Sequence, residues 1–165
     1  MSVSGITGPT QFLTFHLDKE VFAIDISKIK EVLEFTSLTK IPRTPDFMCG
    51  VINLRGSVVP VVDLRLKFGM VKSERTVNTC IIIIDVMQED GVTVIGAMAD
   101  SVKEVLELDP NQIEPPPKIG TGLRTDFIRG MGKQQDHFVI LLDTDRIFST
   151  TELNLLQDAG VRSAA

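Results

Sequence analysis

The chain has 165 residues, 43% of them hydrophobic, with 17 Lys and Arg against 22 Asp and Glu, giving a net charge of −5 at neutral pH. A mild acidic excess with no basic block, and the absence of Tyr and Trp, argue against nucleic acid as a partner, because phosphate binding rests on clustered cations and single-strand binding on aromatic platforms. No apolar run reaches membrane-spanning length, and MSVSGITGPT lacks the basic and apolar regions of a signal peptide. Cys49 and Cys80 have no metal-ligand or redox spacing, so the expectation is a cytoplasmic chain without membrane insertion.

In chain order, FLTFHL (12–17) alternates as a half-exposed strand does and is followed by EVFAIDI (20–26). IKEVLE (29–34) leads through TKIPRTP to GVINLRGSVVPVVDLRLKF (50–68), where Val- and Ile-rich runs flank Arg55 and Gly56. A glycine after the arginine permits a tight reversal, which places Arg55 at the lip of a hairpin. Pro60 belongs on an edge or at a bulge, since it cannot donate to a ladder. After the polar connector GMVKSERTVN, CIIIID (80–85) is continuously apolar and is expected to be covered on both faces.

The plan then recurs. VKEVLE (102–107) repeats IKEVLE, NQIEPPP repeats the Ile and Pro of TKIPRTP, and FIRGMGKQQDHFVILLDTDRIF (127–148) echoes 50–68, with Asp143 for Asp63 and Phe148 for Phe68. CIIIIDV and GVTVIGAMAD answer the two opening strands. The expectation is a mainly β fold of two pseudo-repeated five-stranded barrels, over 11–68 and 79–148, within one domain spanning 1–165. A unit of about 60 residues buries only about 60% of its unfolded surface, so the two halves are expected to pack together. STTELNLLQDAG (149–160) offers Ser149 and Glu152 at capping-box spacing, Leu153 and Leu156 on one face, and Gly160 as a stop, so it predicts a C-terminal helix.

Chemistry-bearing clusters are scarce. His16 and His137 lie in predicted strands without ligand spacing, and inert packing is expected of both cysteines. GTGLRT (120–125) and RGMGKQ (129–134) lack the spacing and context of phosphate loops. Asp63 and Asp143 follow strands at equivalent places and are expected to cap helical turns. No catalytic residue, cofactor or metal is expected, and a groove between two barrels, with an apolar floor and a charged lip, suits a partner's helix.

The run GVINLRGSVVPVVDLRLKFG, preceded by FAIDISKIKEVLEF and IPRTPDFMCG and followed by GAMADSVKEVLELDPNQIEPPP, resembles the CheW-like coupling proteins of bacterial chemotaxis over about Gln11 to Ala159. The resemblance implies two SH3-like barrels and a non-catalytic adaptor that joins the cytoplasmic tip of chemoreceptors to the regulatory domain of the histidine kinase CheA in receptor arrays. It places receptor contacts at Ile26, Ile29, Glu31, Gly50, Arg55, Ile95, Gly96 and Val102. Kinase contacts fall at Thr39, Thr79 and Cys80 on one side and at Glu114, Pro117, Lys118 and Ile119 on another. Arg55 is expected to organise the receptor groove, with Glu31 as its partner. A CheV-type fusion to a receiver domain is not expected in a chain ending at Ala165. The same features also suit an adaptor of a pilus-motility or developmental kinase pathway, and an enzyme reading requires a small molecule in the groove between the barrels.

Overall fold

A computed structural model describes residues 6–71, 74–88, 91–116 and 126–164, the last seven of these as backbone. Alternating and β-branched runs form the strands β1 (Thr10–Leu17), β2 (Glu20–Asp25), β3 (Ile29–Glu34), β4 (Met48–Leu54), β5 (Ser57–Asp63), β6 (Cys80–Gln88), β7 (Gly91–Ala99), β8 (Ser101–Leu108), β9 (Ile113–Glu114), β10 (Ile128–Gln134) and β11 (His137–Leu142). One helical turn, α1 (Leu64–Lys67), follows β5, and the helix α2 (Thr150–Ala164) closes the chain.

The strands form two curled sheets, in the orders β8-β1-β2-β11-β10-β9 and β3-β6-β7-β5-β4. Each curls toward closure. Beyond a short turn, β9 pairs with β10 in the first sheet, and Thr39 bridges to Val51 of β4 in the second. The second barrel is therefore a continuous insertion, β3 to β7, between β2 and β8 of the first.

This corrects the division expected from the repeat. The spans 11–68 and 79–148 are two copies of one strand pattern, but neither span is a barrel. β6 and β7 of the second copy pair with β3 and β5 of the first, while β1 and β2 of the first copy pair with β8 and β11 of the second. Each copy thus lends its first two strands to the other. Similarity in sequence reports which strands are equivalent; pairing is decided by contacts distant along the chain.

The equivalence itself extends to fine geometry. The ladder shifts register at Met48/Gly50 and again at Ile128/Gly130, and between Ile29/Glu31 just as Val102 and Glu104 straddle the shift at Thr14/Phe15. Asp63 N donates to Phe47 O and Asp143 N to Phe127 O, at 2.7 and 2.8 Å. The Asp63 carboxylate accepts from Arg65 N and that of Asp143 from Asp145 N, the capping roles expected of both.

Burial sorts into three clusters. Ile81 and Ile83 fill the inserted barrel with Ile52, Val59 and Val61, and Phe12, Ala23, Leu108, Val139 and Leu141 fill the other. Between the barrels lies the largest cluster, to which Ile82 and Ile84 contribute beside Phe15, Phe22, Ile24 and Val62. CIIIID is thus covered on both faces, with even and odd positions serving different cores. A file of rings, Phe15, Phe22, Phe68 and Phe127, crosses this interface with centroids 4.6–6.2 Å apart.

Ser149 N donates to Glu152 Oε1 and Glu152 N to Ser149 Oγ, completing the capping box, and Leu153 and Leu156 seat α2 on the inter-barrel core. Lys67 pairs with Glu152 at 3.2 Å and lies over the rings of Phe47 and Phe148. The helix runs through Gly160 to Ala164 instead of stopping there. Glycine lowers helix stability by about 1 kcal/mol relative to alanine but blocks no backbone hydrogen bond.

Candidate partner-binding surfaces

β4 and β5 pair in register from Leu54 and Ser57, so Arg55 and Gly56 are the two central residues of a tight hairpin. Both take positive φ, 50° and 87°, as the primed turns of two-residue hairpins require. Gly56 N donates to Asn53 Oδ1 at 2.9 Å, fixing the tip. From there the guanidinium reaches Glu31 on β3 in a bidentate pair, Nη1 to Oε2 at 2.5 Å and Nη2 to Oε1 at 3.0 Å. The hydrogen bonds from Arg55, reinforced by its charge, hold the Glu31 carboxyl below its ordinary value, and Glu31 raises Arg55 in return.

This pair borders a cleft of about 580 Å³ whose walls are the β4–β5 hairpin, β7 and α2. Strand register explains the opening. β5 and β7 run parallel only from Val61 opposite Gly96, so Ser57–Pro60 and the start of β7 diverge. Val51 spends both its backbone groups on Thr39, at 2.8 and 3.0 Å, so its pair with Pro60 carries no ladder hydrogen bond and the donor-less Pro60 nitrogen faces the divergence. Pro60 therefore sits in an interior strand, at the point where its neighbour leaves.

The groove expected between the barrels is instead filled by the largest apolar cluster, and the open cleft lies on the inserted barrel. Of the expected receptor residues, Glu31 and Arg55 meet at the cleft rim, Ile26 is exposed, and Ile29 and Val102 are half-buried against the inter-barrel core. The other three are internal. Ile95 is fully buried, Gly96 is packed so that a Cβ would meet Ile81 Cγ2 at 2.8 Å, and a Cβ on Gly50 would meet Thr39 O at 2.6 Å. They shape the barrel wall and offer no side chain to a partner.

Among the expected kinase residues, Thr39 and Glu114 are exposed, and Glu114 pairs with Lys133 at 2.8 Å. Thr79 and Cys80, expected on the same kinase-facing side as Thr39, are buried, at 7% and 8% exposure. Cys80 lies between Glu34 and Ala99 in the ladder; burial pushes its thiol up, with Asp100's charge adding to it. Pro117, Lys118 and Ile119 lie outside the described residues, as does GTGLRT.

RGMGKQ is strand β10, where Gly132 makes room for Leu108; a Cβ would stand 2.7 Å from its Cδ1. No group of three or more His, Cys, Asp or Glu poised to hold a metal occurs among the described residues. Sequence reasoning missed two ionic ties, Asp25–Arg129 at 3.3 Å and Arg65–Asp100 at 2.5 Å. Only the repeat offered a hint of them, since each aspartate stands where the chain passes between barrels.

Two packed SH3-like barrels, with an ion-paired hairpin over an open cleft on one, define a small β-barrel interaction domain. A family model described as the CheW-like domain matches residues 11–152, and this chain belongs to that family. The Chemotaxis protein CheW of Klebsiella aerogenes is 36% identical over 162 residues, which cover 96% of this chain and 95% of that protein. That of Thermotoga maritima is 31% identical over 140 residues, covering 83% and 86%. The crystal structure of the scaffolding protein TtCheW from Thermoanaerobacter tengcongensis aligns with a TM-score of 0.77 at 36% identity, covering 87% of this chain and 95% of that one.

Proposed function

We propose that this chain is a non-catalytic scaffold of bacterial chemotaxis that couples the cytoplasmic tip of chemoreceptors to the regulatory domain of the histidine kinase CheA. The full-length likeness to chemotaxis CheW proteins supports the pathway. The observation that carries the coupling role is the Arg55–Glu31 pair at the rim of the cleft, a preorganised charged lip beside apolar walls contributed by Leu54, Val58 and Val92. Glu31, Arg55, Ile26, Ile29 and Val102 face the receptor, whereas Gly50, Ile95 and Gly96 hold the wall behind them. The kinase meets the opposite end of the inserted barrel, around Thr39, and the Glu114 edge of the other barrel. No helix of the described residues is long and apolar enough to cross a membrane, and the chain's place in the array comes from receptor docking.

The test is co-sedimentation with receptor-bearing membranes and kinase, read together with kinase activity. The parent chain is expected to bring kinase into the pellet and raise its activity. Failure of the parent to recruit kinase would remove the coupling role.

A further inference from the structure

The repeated strands β3 and β8 stand at corresponding edges of the two sheets. β8 pairs with β1 alone among the described residues, in unbroken register from Thr10 opposite Leu108 to Thr14 opposite Glu104. Glu104 turns both its backbone groups toward β1, where Thr14 Oγ1 donates to its carbonyl and accepts from its N–H. Alternation along an antiparallel strand then turns the N–H and C=O of Val105 and Glu107 the other way, out of the edge of the sheet. An open edge of this kind is a template for another strand.

The side chains along this edge are complementary to a second copy of the same strand. Lys103, Glu104, Val105 and Glu107 are all exposed, Val105 at 49%. When two copies of β8 run antiparallel about a two-fold axis at Val105, that residue faces its own counterpart in a hydrogen-bonded pair, and Lys103 faces Glu107 once on each side of the axis. Charges on an edge strand ordinarily repel a second copy; here the two signs are spaced so that they attract. Lys103 is the extra residue where the ladder shifts between Thr14 and Phe15, so the paired stretch ends there and the long side chain carries its ammonium across. β3 has the same spacing in Lys30, Val32 and Glu34, but Lys30 is drawn to Asp85 at 3.7 Å and Glu31 is held by Arg55. On β8, Lys103 reaches only its neighbour Glu104, at 4.0 Å, and Glu107 has no ion pair among the described residues.

We propose that β8 is a self-recognition edge: two copies of this chain pair antiparallel through Val105, aligned by reciprocal Lys103–Glu107 pairs, so that their first sheets continue into each other. The contact is isologous and closes at two copies. It requires neither receptor nor kinase, and it stands or falls independently of the coupling function proposed above. A ladder this short gives a weak contact, of the class that forms and parts readily.

The experiment is analytical ultracentrifugation of the full-length chain alone, from about 10 μM to about 1 mM, with amide exchange read at both ends of that range. The parent is expected to pass from monomer to dimer, with the Val105 and Glu107 amides protected only at high concentration and that of Leu106, which faces β1, protected throughout. Lys103→Glu and Glu107→Lys each set like charges face to face and are expected to weaken association about tenfold, and the double variant, which exchanges the two signs, is expected to recover it. Val105→Pro removes an N–H that the fold itself does not use, and is expected to give a monomer with a melting temperature near that of the parent. A parent that stays monomeric to about 1 mM overturns the inference, as does a dimer indifferent to Val105→Pro or to both charge reversals. A double variant that associates no better than the singles overturns the Lys103–Glu107 alignment. If Val105→Pro fails to fold, the charge variants, at exposed positions, still decide. Protection of Val105 gained on adding kinase regulatory domain or receptor-bearing membranes, and not on raising the concentration, gives the edge to that partner and overturns self-pairing.

Discussion

Arg55 holds a left-handed backbone conformation that a Cβ disfavours, beside a glycine that takes one freely. The hairpin tolerates it because the turn needs positive φ at both central positions and the side chain finds a bidentate acceptor in Glu31. Arg55→Lys keeps the charge but replaces the planar two-nitrogen fork with a single nitrogen, so it is expected to impair kinase activation in the receptor–kinase assembly while leaving the melting temperature near that of the parent. Glu31→Ala is expected to act similarly, and the double variant to lose less than the sum of the singles; additive losses would show that the two side chains do not act as one unit. The sign of the pH effect follows from the lowered Glu31 value. The pair is complete at and above the ordinary carboxylate range and is lost as pH falls through the lowered value, and in Arg55→Ala the carboxyl is expected to titrate in the ordinary range by NMR. Cys80 gives the opposite kind of outcome. A carboxylate at this ladder position would be desolvated and set beside the like charge of Asp100, so Cys80→Asp is expected to unfold the chain, at a cost of about 3 kcal/mol or more, and to abolish binding of both partners.

At the scale of elements, the two copies use one bulge but brace it differently. In the split barrel, Thr14 Oγ1 donates to Glu104 O at 2.8 Å and accepts from Glu104 N at 3.1 Å, replacing the ladder bonds that the bulge displaces. Ile83 stands in its place opposite Glu31, and there Arg55 holds the strand through its side chain. Thr14→Val keeps the volume and removes the hydroxyl, so it is expected to cost about 1–3 kcal/mol in denaturant unfolding. Gly50→Ala is expected to cost a similar about 2–3 kcal/mol, because the carbonyl of Thr39 leaves no room for a methyl group at φ 150°. Strands, hairpin tips and the helix cap were legible in the sequence because alternation, Gly after Arg55 and the Ser149/Glu152 spacing act locally. The Arg55–Glu31 pair was legible through the family resemblance. Arg65, Asp100 and Val105 were not, because a buried cation's partners and a side chain's exposure are products of tertiary structure. The inward turn of Ile95 and Gly96 is likewise set by which face of β7 meets which core.

The whole molecule follows from the exchange of strands between copies. The chain crosses from one barrel to the other at residues 26–28 and again at Asp100, and the two crossings are fastened by Asp25–Arg129 and Arg65–Asp100. A cut within the connector, giving 1–72 and 73–165, follows the sequence repeat but severs both barrels: the first fragment holds β3, β4 and β5 without β6 and β7, and the second holds β8 to β11 without β1 and β2. Neither fragment can bury Ile81–Ile84 or their facing side chains on both sides, and a partial sheet of this size has too little core to stand alone. Each alone is expected to give no cooperative melt and poor amide dispersion. Mixed in equal amounts, they are expected to recover the parent spectrum, because each supplies the strands that the other lacks. The intact chain is expected to unfold in one transition, since the largest apolar cluster belongs to both barrels at once. A cooperative melt from either fragment alone would contradict the strand exchange, and failure of the mixture to recover would show that the connector between residues 69 and 79 is needed to bring the copies together.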